Sequence, residues 1–427
     1  LRRAVGPLFP DPFIQTGNSF TPCGCSSLTM QLRLTRRCSV RLLLNLLALL
    51  LLLFLLSFLV FLFISSLDIY QLSQRQRRLF EEGQALDASF GKTAGKTLKP
   101  CFGFVRSLTT SSLHLDETVD VFVIDVDALK MLRRNCHAEP SLPLHVMVDH
   151  KWEHGLRDKN LSSFDVTFFE DKGDYFSLRT TPPRALLKQD FHGVDSLLLP
   201  VDIALFTSFW QRSRLVDCLN LTVERNDTDR VIPLSFVDQM ANFRDELVGM
   251  GALPFIAGGT LLGWYRECSL IPHTLDVDFG ILYVDYRSPM TKQLGELANF
   301  DLYKRTGREH DSLEFTLVSR RTVVAVDLFV YYDKDDDHIY TAGVDKPTRS
   351  RFKWMLPRAT GYCSGILLER LFFVPCNVRE TIEAEYGPGW KGDHPTAEFE
   401  WWSSNKNVEA AGWYTEDEMK KYYIQYY

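Results

Sequence analysis

The sequence predicts an α/β protein that is attached to a membrane near its N-terminus and carries two folded domains beyond the attachment. Three observations predict this class: an uncharged run over 42–64, apolar stretches of strand length, and intervening stretches with helical spacing of apolar residues. The 427 residues are enough for two or three domains. With 24% charged residues and a net charge of −6, the composition argues against a general nucleic-acid binder, which is usually strongly basic.

The run over 42–64 is long enough to cross the ~30 Å hydrocarbon core of a bilayer as one helix. It is also longer than the apolar core of a signal peptide. Four arginines closely precede it: Arg33, Arg36, Arg37 and Arg41. Because positive flanks favour the cytosolic side, we expect a type II signal anchor with a cytosolic tail over 1–41. The chain begins with Leu and Met30 is a plausible start, so residues 1–29 are given no role.

Features beyond the anchor agree with a luminal location in the secretory pathway. Three N-glycosylation sequons begin at Asn160, Asn220 and Asn226. Six cysteines also lie there: Cys101, Cys136, Cys218, Cys268, Cys363 and Cys376. An even number permits disulfides in an oxidising compartment, although the sequence does not give their pairing. Free buried thiols are the alternative, and no C-x-x-C pair supports a zinc site.

Composition divides the luminal part into three segments. A polar stem is predicted over 65–99, where a loose apolar heptad permits either a weak oligomerising helix or a simple spacer. An N-terminal luminal α/β domain is predicted over 100–234 and a C-terminal domain over 235–427. Asp125 and Asp127 form a D-x-D pair in the first domain. We assign them to capping the following helix, because no glycine turn or third acid accompanies them.

The C-terminal domain is predicted to open with an amphipathic helix. Ser235 is its expected N-cap and Gly251 its expected stop. One apolar face of the helix carries Phe236, Met240, Phe243 and Leu247. A short buried strand should then run into the glycine turn of "ALPFIAGG".

That glycine turn is typical of an anion-binding site. Gly258, Gly259 and Thr260 precede the helix "LLGWYREC". Glycine lets backbone N–H groups approach an anion closely, and a helix that begins there adds the positive end of its dipole. The chain contains no Walker A, G-x-G-x-x-G, H-E-x-x-H or G-x-S-x-G motif, which leaves the corresponding nucleotide-binding, zinc-protease and serine-hydrolase classes without support.

Three acids follow the turn on predicted strands. Asp276 and Asp278 in "LDVDFGILY" are alternate residues and therefore share a face, with Val277 and Phe279 on the other. Asp327 interrupts the apolar strand "TVVAVDLFVYY", where a lone carboxylate is costly unless it is paired or metal-bound. Three carboxylates on neighbouring strands predict a site for Mg²⁺ or Mn²⁺. A D-x-D pair alone is common, whereas this order of turn, helix and acids is more specific.

One stretch closely resembles the G-T-L-L-G-x-x-R … I-P … D-x-D signature of LicD-type phosphotransferases, in the nucleotidyltransferase superfamily: "GGTLLGWYRECSLIPHTLDVDFGI". The resemblance is greatest to the fukutin-like branch and extends to "HDSLEFTLV", "VDLFVYY" and "YGPGWKGDH…EFEWWSSNKNV". It is dense from about 250 to 405. Many relatives have P-W-D-D-D-x-D where this chain has P-H-T-L-D-V-D over 272–278, so no acid directly precedes the Asp276–Asp278 pair here and fewer metal ligands are expected.

The resemblance implies a nucleotidyltransferase-like C-terminal domain, with a small mixed sheet flanked by helices. It implies a Golgi membrane enzyme that transfers ribitol 5-phosphate from CDP-ribitol to an O-mannosyl glycan of the α-dystroglycan type, with release of CMP. Alternatives are another CDP-alcohol donor (CDP-glycerol or CDP-choline) and a non-catalytic Golgi partner of glycosyltransferases. A homo-oligomer or a complex with such enzymes is compatible with the sequence, and no nucleic-acid partner is expected.

In the predicted mechanism, Asp276 and Asp278 hold the metal, and Asp327 is a third ligand or the general base. Donor phosphate is expected to contact Gly258, Gly259, Thr260 and Arg266. A structural salt bridge is nearly as good an explanation of Arg266.

Several other residues are expected outside the site. His273 is read as an ordinary loop histidine, with contact to the substrate as the alternative. Glu314 is read as an exposed strand residue, with a position facing the site as the alternative. Five aromatic residues of the C-terminal region are read as packing, with stacking on cytosine or sugar as the alternative: Tyr386, Trp390, Phe399, Trp401 and Trp402. The acidic run over 333–338 is expected to be a solvated hairpin tip.

Overall fold

Two β-sheets form the framework of the part of the chain that the structure describes. The structure is a computed structural model, and it describes residues 121–125, 144–156, 164–194, 197–225, 229–395 and 398–426. All of them belong to one compact unit, Gly95–Tyr427. The predicted tail, anchor and stem lie outside the described residues, as do Asn160, Asn226, Cys101, Cys136 and Asp127. Within the described ranges, no helix is long and apolar enough to cross a membrane.

The first sheet is mixed. Its strands in the described ranges are β1 (Val121–Val123), β2 (Leu144–Asp149), β3 (Phe164–Asp171), β4 (Tyr175–Leu178), β5 (Arg184–Leu187), β6 (Phe191–Val194) and β7 (Leu197–Pro200), in the order β5-β4-β3-β2-β1-β7-β6. The pairs β2–β3 and β1–β7 are parallel, and the remaining neighbours are antiparallel. A 3-10 turn (His150–Trp152) leads into helix α1 (Glu153–Leu156), and α2 (Ile203–Arg212) is capped by the side chain of Asp202.

The second sheet is also mixed and carries the acids. Its strands are β8 (Phe255–Ile256), β9 (Asp276–Leu282), β10 (Phe300–Thr306), β11 (Glu314–Ser319), β12 (Ala325–Asp333), β13 (His338–Val344), β14 (Ser350–Pro357), β15 (Tyr362–Leu367), β16 (Arg370–Pro375), β17 (Val408–Trp413) and β18 (Tyr423–Gln425). The main order is β15-β16-β8-β9-β12-β11-β10-β18, and β13, β14 and β17 branch from β12. The α/β class and the mixed sheet are confirmed. With 11 strands in the described ranges, the sheet is larger than expected because of this branch.

Five helices accompany the second sheet in the described ranges: α3 (Val237–Gly249), α4 (Gly258–Glu267), α5 (Met290–Gly295), α6 (Val378–Tyr386) and α7 (Glu416–Tyr422). The predicted apolar face is confirmed, because Met240, Phe243 and Leu247 of α3 are fully buried, as is Phe236 just before the helix. Gly251, with φ of 85°, ends this helical segment as predicted. The prediction that Ser235 is the N-cap is wrong. It lies inside a 3-10 turn (Leu234–Phe236), and Pro233 is the extended residue before that turn.

The apolar core is shared between the two sheets. One buried cluster combines β1, β2, β4 and β5 with Phe255, Tyr331, Leu371 and Phe373 of the second sheet. A buried ion pair joins the same regions: Arg244 of α3 donates two hydrogen bonds of 2.9 Å to Asp174, between β3 and β4. The packing therefore ties the first sheet to the second. The domain limits 100–234 and 235–427 remain predictions.

Two disulfides supply the pairing that the sequence left open. Cys218 is bonded to Cys268 at the end of α4, and Cys363 of β15 is bonded to Cys376 after β16. Four of the six cysteines that follow the predicted anchor are thus disulfide-bonded in the described ranges. This is the state expected in an oxidising compartment.

Candidate active site

Three carboxylates converge at one end of the parallel pair β9–β12. Alternation along β9 places Asp276 and Asp278 on one face, while Val277 and Phe279 are fully buried on the other. The parallel register sets Asp327 of β12 directly beside Asp278. One oxygen atom from each of the three acids lies within 4.8 Å of the other two. The shared face and the third strand-borne acid are therefore present as predicted, and metal ligation stays a prediction.

The three acids disfavour one another's ionised forms. Burial and then the charges of Asp276 and Asp327 raise the pKa of Asp278 well above its usual value. Burial, followed by the charge of Glu314, raises the pKa of Asp327 to about 7. Burial likewise raises the pKa of Asp276. A cation bound among these oxygens would relieve this unfavourable interaction.

The glycine turn before α4 packs directly on Asp278. Gly258 has a φ of 50°, and a Cβ atom built on it would lie 2.7 Å from Asp278 Oδ2. The Thr260 N–H points at the same oxygen over 3.4 Å, and the Asp278 N–H donates to Thr260 Oγ1 over 2.8 Å. Gly258 and Gly259 line the cavity described next, whereas Thr260 is buried behind it. The Thr260 hydroxyl thus positions Asp278 and does not face the predicted phosphate.

A cavity of about 610 Å³ opens in front of the acids. It is large enough for a small-molecule ligand. Its described acidic lining comprises Asp276, Asp278, Glu314, Asp327, Glu385 and Asp393. Aromatic walls are supplied by Phe329, Tyr331, Trp354, Tyr386, Trp390, Phe399 and Trp401.

Comparison with known proteins agrees with this geometry. Residues 252–369 match the family described as "LicD/FKTN/FKRP, nucleotidyltransferase domain", and residues 108–217 match "W02B3.4-like, N-terminal domain". The uncharacterized protein W02B3.4 of Caenorhabditis elegans is 33% identical over 85% of this chain and 96% of its own length. The ribitol-5-phosphate transferase FKTN of Homo sapiens is 30% identical over 51% of this chain and 49% of its own length.

This chain belongs to the LicD family. It is a fukutin-like member, since the likeness to FKTN covers about half of each chain. The matched LicD segment contains α4, Asp276, Asp278 and Asp327, and family membership supports a phosphotransferase at the level of reaction class. Another relative from Caenorhabditis elegans, the uncharacterized protein T07A5.1, is 31% identical over 76% of this chain and 87% of its own length.

Arg266 is bound within the LicD domain by protein groups. Its side chain is almost fully buried, and it donates to Glu267 Oε1 from Nε over 2.8 Å. Its Nη1 donates to the carbonyl oxygens of Trp390 and Gly392, over 3.1 and 2.6 Å. These contacts fit the salt-bridge alternative better than phosphate binding. Arg266 lies two turns beyond the N-terminus of α4, where it ties the helix to the loop after α6.

His273 is part of the cavity wall. Its Nε2 lies 2.9 Å from Asp393 Oδ1, and Asp393 also accepts a hydrogen bond of 2.9 Å from Arg225. Although burial acts to raise it, the pKa of Asp393 is held below its usual value by His273 and Arg225. The contact depends on the loop after α6, so local sequence gave no sign of it.

Two further acids line the cavity: Glu314, whose preferred reading was an exposed strand position, and Glu385, which sequence reasoning missed. Glu314 is buried, not exposed: Lys304 Nζ donates to its Oε1 over 3.0 Å and Thr306 Oγ1 to its Oε2 over 2.9 Å. Glu385 on α6 faces the cavity, and burial raises its pKa to about 7. Asn405 donates to it over 3.3 Å. A helix-borne Glu is ordinary in sequence, and only the docking of α6 gives it this position.

The remaining predictions divide between the site and the surface. Four of the five C-terminal aromatic residues line the cavity, and Trp402 is exposed outside it. Asp125 is absent from the cavity lining, and its backbone N–H donates to the His145 carbonyl. The segment 333–338 is an exposed tip between β12 and β13, as predicted. Asn220 is exposed, which suits a glycosylation site.

Proposed function

We propose that this chain transfers ribitol 5-phosphate from CDP-ribitol to a hydroxyl group of an O-mannosyl glycan on a glycoprotein, with release of CMP. The observation that carries the proposal is the group of three carboxylates within 4.8 Å, set against the start of α4 in a LicD domain. The likeness to the ribitol-5-phosphate transferase FKTN supports the choice of donor.

The three carboxylates are suitable ligands for Mg²⁺ or Mn²⁺. Asp276, Asp278 and Asp327 offer hard oxygen ligands, and the burial and mutual repulsion of these acids make a bound cation favourable. A divalent cation held there would neutralise the diphosphate oxygens that otherwise repel an incoming hydroxyl. The chain's own residues would orient the donor, exclude water and receive the proton.

The transfer forms one bond between the acceptor oxygen and phosphorus and breaks the bond from that phosphorus to the CMP oxygen. The acceptor hydroxyl also loses a proton. We assign Asp327 to the ligand group and Glu385 to the proton acceptor, since Glu385 lies in the same cavity but outside the group of three. A carboxylate with a pKa of about 7 suits general-base chemistry at neutral pH.

A Golgi-lumen location is part of the proposal. It is supported by the predicted anchor over 42–64, by the disulfides Cys218–Cys268 and Cys363–Cys376, and by the exposed sequon at Asn220. The N-terminal region would then place the cavity on the luminal side of the membrane.

One observation favours a second donor. The cavity wall contains Tyr386, Phe399, Trp354 and Trp401, and aromatic rings of this kind attract quaternary ammonium groups. CDP-choline is therefore the second candidate. Lys304, whose ammonium group lines the same cavity, opposes a cationic substrate and leaves the neutral alditol as the first choice.

The test uses the purified full-length chain with Mg²⁺ or Mn²⁺ and a phosphorylated O-mannosyl glycopeptide. CDP-ribitol, CDP-glycerol and CDP-choline are supplied in separate reactions, and mass spectrometry records the added group. We expect one ribitol phosphate from wild type and from Asp336→Asn, a matched change on the exposed hairpin tip, and none from Asp278→Asn. Addition of glycerol phosphate or phosphocholine instead would identify CDP-glycerol or CDP-choline as the donor in place of CDP-ribitol. No addition from any donor by folded protein would favour a non-catalytic Golgi partner.

A further inference from the structure

A β-bulge in β10 turns a lysine toward the cavity. Leu302 pairs with Leu317 of β11, but the next pair is Lys304 with Thr316, so Tyr303 is an extra residue on β10. Leu302 and Leu317 are buried in the core. Because one added residue reverses which face the following side chains occupy, Lys304 lies on the cavity face instead of the core face.

The bulge brings Lys304 into register with the acids. Across four neighbouring strands, Lys304 pairs with Thr316, Thr316 with Asp327, and Asp327 with Asp278. The Thr316 hydroxyl donates a short hydrogen bond to Asp327. These four residues therefore form a row across the sheet, from the Lys304 ammonium group on β10 to the carboxylates of Asp327 on β12 and Asp278 on β9. At the end of the row opposite to Lys304, Gly258 of α4 packs on Asp278.

The ammonium group of Lys304 is held in place and keeps its charge. Glu314 accepts one of its three N–H donors over 3.0 Å, and Thr306 fixes the other oxygen of Glu314. Although burial acts to lower it, the pKa of Lys304 is raised by the charges of Glu314 and Asp327. The Lys304 side chain retains 22% of its exposure. Glu314 thus fixes the cation without using all of its donors.

Few cations balance the acids of this cavity. Besides histidines, the described lining contains Arg266, Lys304 and Lys406 as basic residues. Arg266 is bound by Glu267 and two carbonyl groups, and Lys406 is a solvent-exposed residue. Lys304 is the cation whose charge acts on both Asp276 and Asp327. An anionic donor that enters this acidic cavity meets Lys304 beside the carboxylate group.

We propose that Lys304 binds an oxygen of the donor's diphosphate group, on the side of the acids opposite to the start of α4. Glu314 and Thr306 are positioning residues, which act by holding the ammonium group. The inference rests on the proposed function, because it requires a phosphate-bearing donor. A positioned ammonium group favours the charge that spreads over phosphate oxygens during transfer.

A purely structural role for Lys304, as counter-charge to the acids, makes a different prediction. In both cases the Lys304→Met variant loses a positive charge beside the carboxylates, so Mg²⁺ alone should bind more tightly. A counter-charge that does not contact the donor weakens the phosphate ligand only slightly once Mg²⁺ is saturating, whereas loss of a direct contact weakens it at least tenfold. The opposite signs of the two effects also separate a specific loss from general unfolding.

The experiment is isothermal titration of the purified full-length chain with three probes: Mg²⁺ alone, then inorganic pyrophosphate and CDP, each at saturating Mg²⁺. For Lys304→Met we expect tighter Mg²⁺ binding and CDP binding weakened roughly 10- to 100-fold, the size of one hydrogen bond to a charged group. Lys304→Arg should retain part of the CDP affinity. Lys334→Met, on the exposed hairpin, should match wild type in all three titrations.

CDP affinity of Lys304→Met within about twofold of wild type, in protein of unchanged melting temperature, would overturn the role of Lys304 and leave the proposed function standing. If wild type binds pyrophosphate through Lys304 but does not bind CDP, the result contradicts a nucleotide-linked donor and supports the phosphate-binding role of Lys304. No binding of either probe to wild type would overturn both. Should Lys304→Met fail to fold, Lys304→Gln replaces it, because glutamine keeps a hydrogen-bond donor for Glu314. Its Mg²⁺ and CDP affinities are then compared with those of wild type.

Discussion

Asp278 and Asp327 lie directly beside each other on the parallel strands β9 and β12, with apolar residues before and after each of them. Side chains at such paired positions are near neighbours, and like charges there are unfavourable. Nothing in the sheet requires this pairing, because the surrounding Val and Phe positions fill the core. This unfavourable pairing is the reason for proposing a bound cation at this position.

Asp278→Asn should abolish phosphate transfer and weaken Mg²⁺ or Mn²⁺ binding by more than tenfold. The same change should raise the melting temperature of the metal-free protein, because it removes one of three repelling carboxylates. Titration with Mn²⁺ and thermal unfolding in EDTA check both effects. Asp336→Asn on the exposed hairpin is the matched control, and it should change neither. Unaltered metal affinity in Asp278→Asn would contradict the site.

Glu385→Gln should alter the dependence of stability on pH. Burial raises the pKa of Glu385 from 4.5 to about 7, so the folded state keeps a proton that the unfolded state loses between these pH values. The free energy of unfolding of wild type therefore falls as pH rises through that window, by up to about 3 kcal/mol. The variant should gain this stability relative to wild type at pH 8 but not at pH 4.5.

Melting temperatures across pH 4.5–8 in EDTA measure that difference for the Glu385 variant. Glu380→Gln, at an exposed position of the same helix, is the control and should not reproduce the stability gain of Glu385→Gln at pH 8. A difference between Glu385→Gln and wild type that does not grow with pH would contradict the buried, protonated state of Glu385.

Gly258→Ala should damage the site through backbone and packing together. The φ of 50° is unfavourable for alanine, and the new Cβ atom would lie 2.7 Å from Asp278 Oδ2. We expect a loss of about 1–3 kcal/mol in stability and at least tenfold weaker metal binding. Gly249→Ala in α3, where an added Cβ meets no atom within 4 Å, should keep wild-type metal affinity. Equal metal affinity in both variants would refute the close packing of Gly258 on Asp278.

Arg244→Met should destabilise the whole described unit. Arg244 is 1% exposed, and its loss leaves the buried Asp174 with the Leu371 N–H over 2.8 Å and with the more distant Arg370, 3.8 Å away. Removing one member of a buried pair costs about 3–5 kcal/mol. Arg379→Met breaks an exposed pair with Glu383 and should cost less than about 1 kcal/mol. Similar melting temperatures of the two variants would argue against this link between the sheets.

The acids of β9 and β12 were predictable because their signal is local. A carboxylate within an apolar strand stands out, and strand alternation fixes which neighbours share its face. The contacts that the side chains of Thr260 and Arg266 make were not predictable in this way. Both belong to the helix that begins at the glycine turn, but one packs behind Asp278 and the other on the loop after α6.

The sequence by itself determined the α/β class, the apolar face of α3, the glycine turn and the three acids, since each follows from spacing along one element. It also determined the family resemblance. Tertiary structure alone decided the disulfide pairing, the cavity positions of His273, Glu314 and Glu385, and the orientation of Lys304. Those features depend on contacts between residues far apart in the chain, or on a bulge that reverses the face of β10, and short-range periodicity carries no record of either.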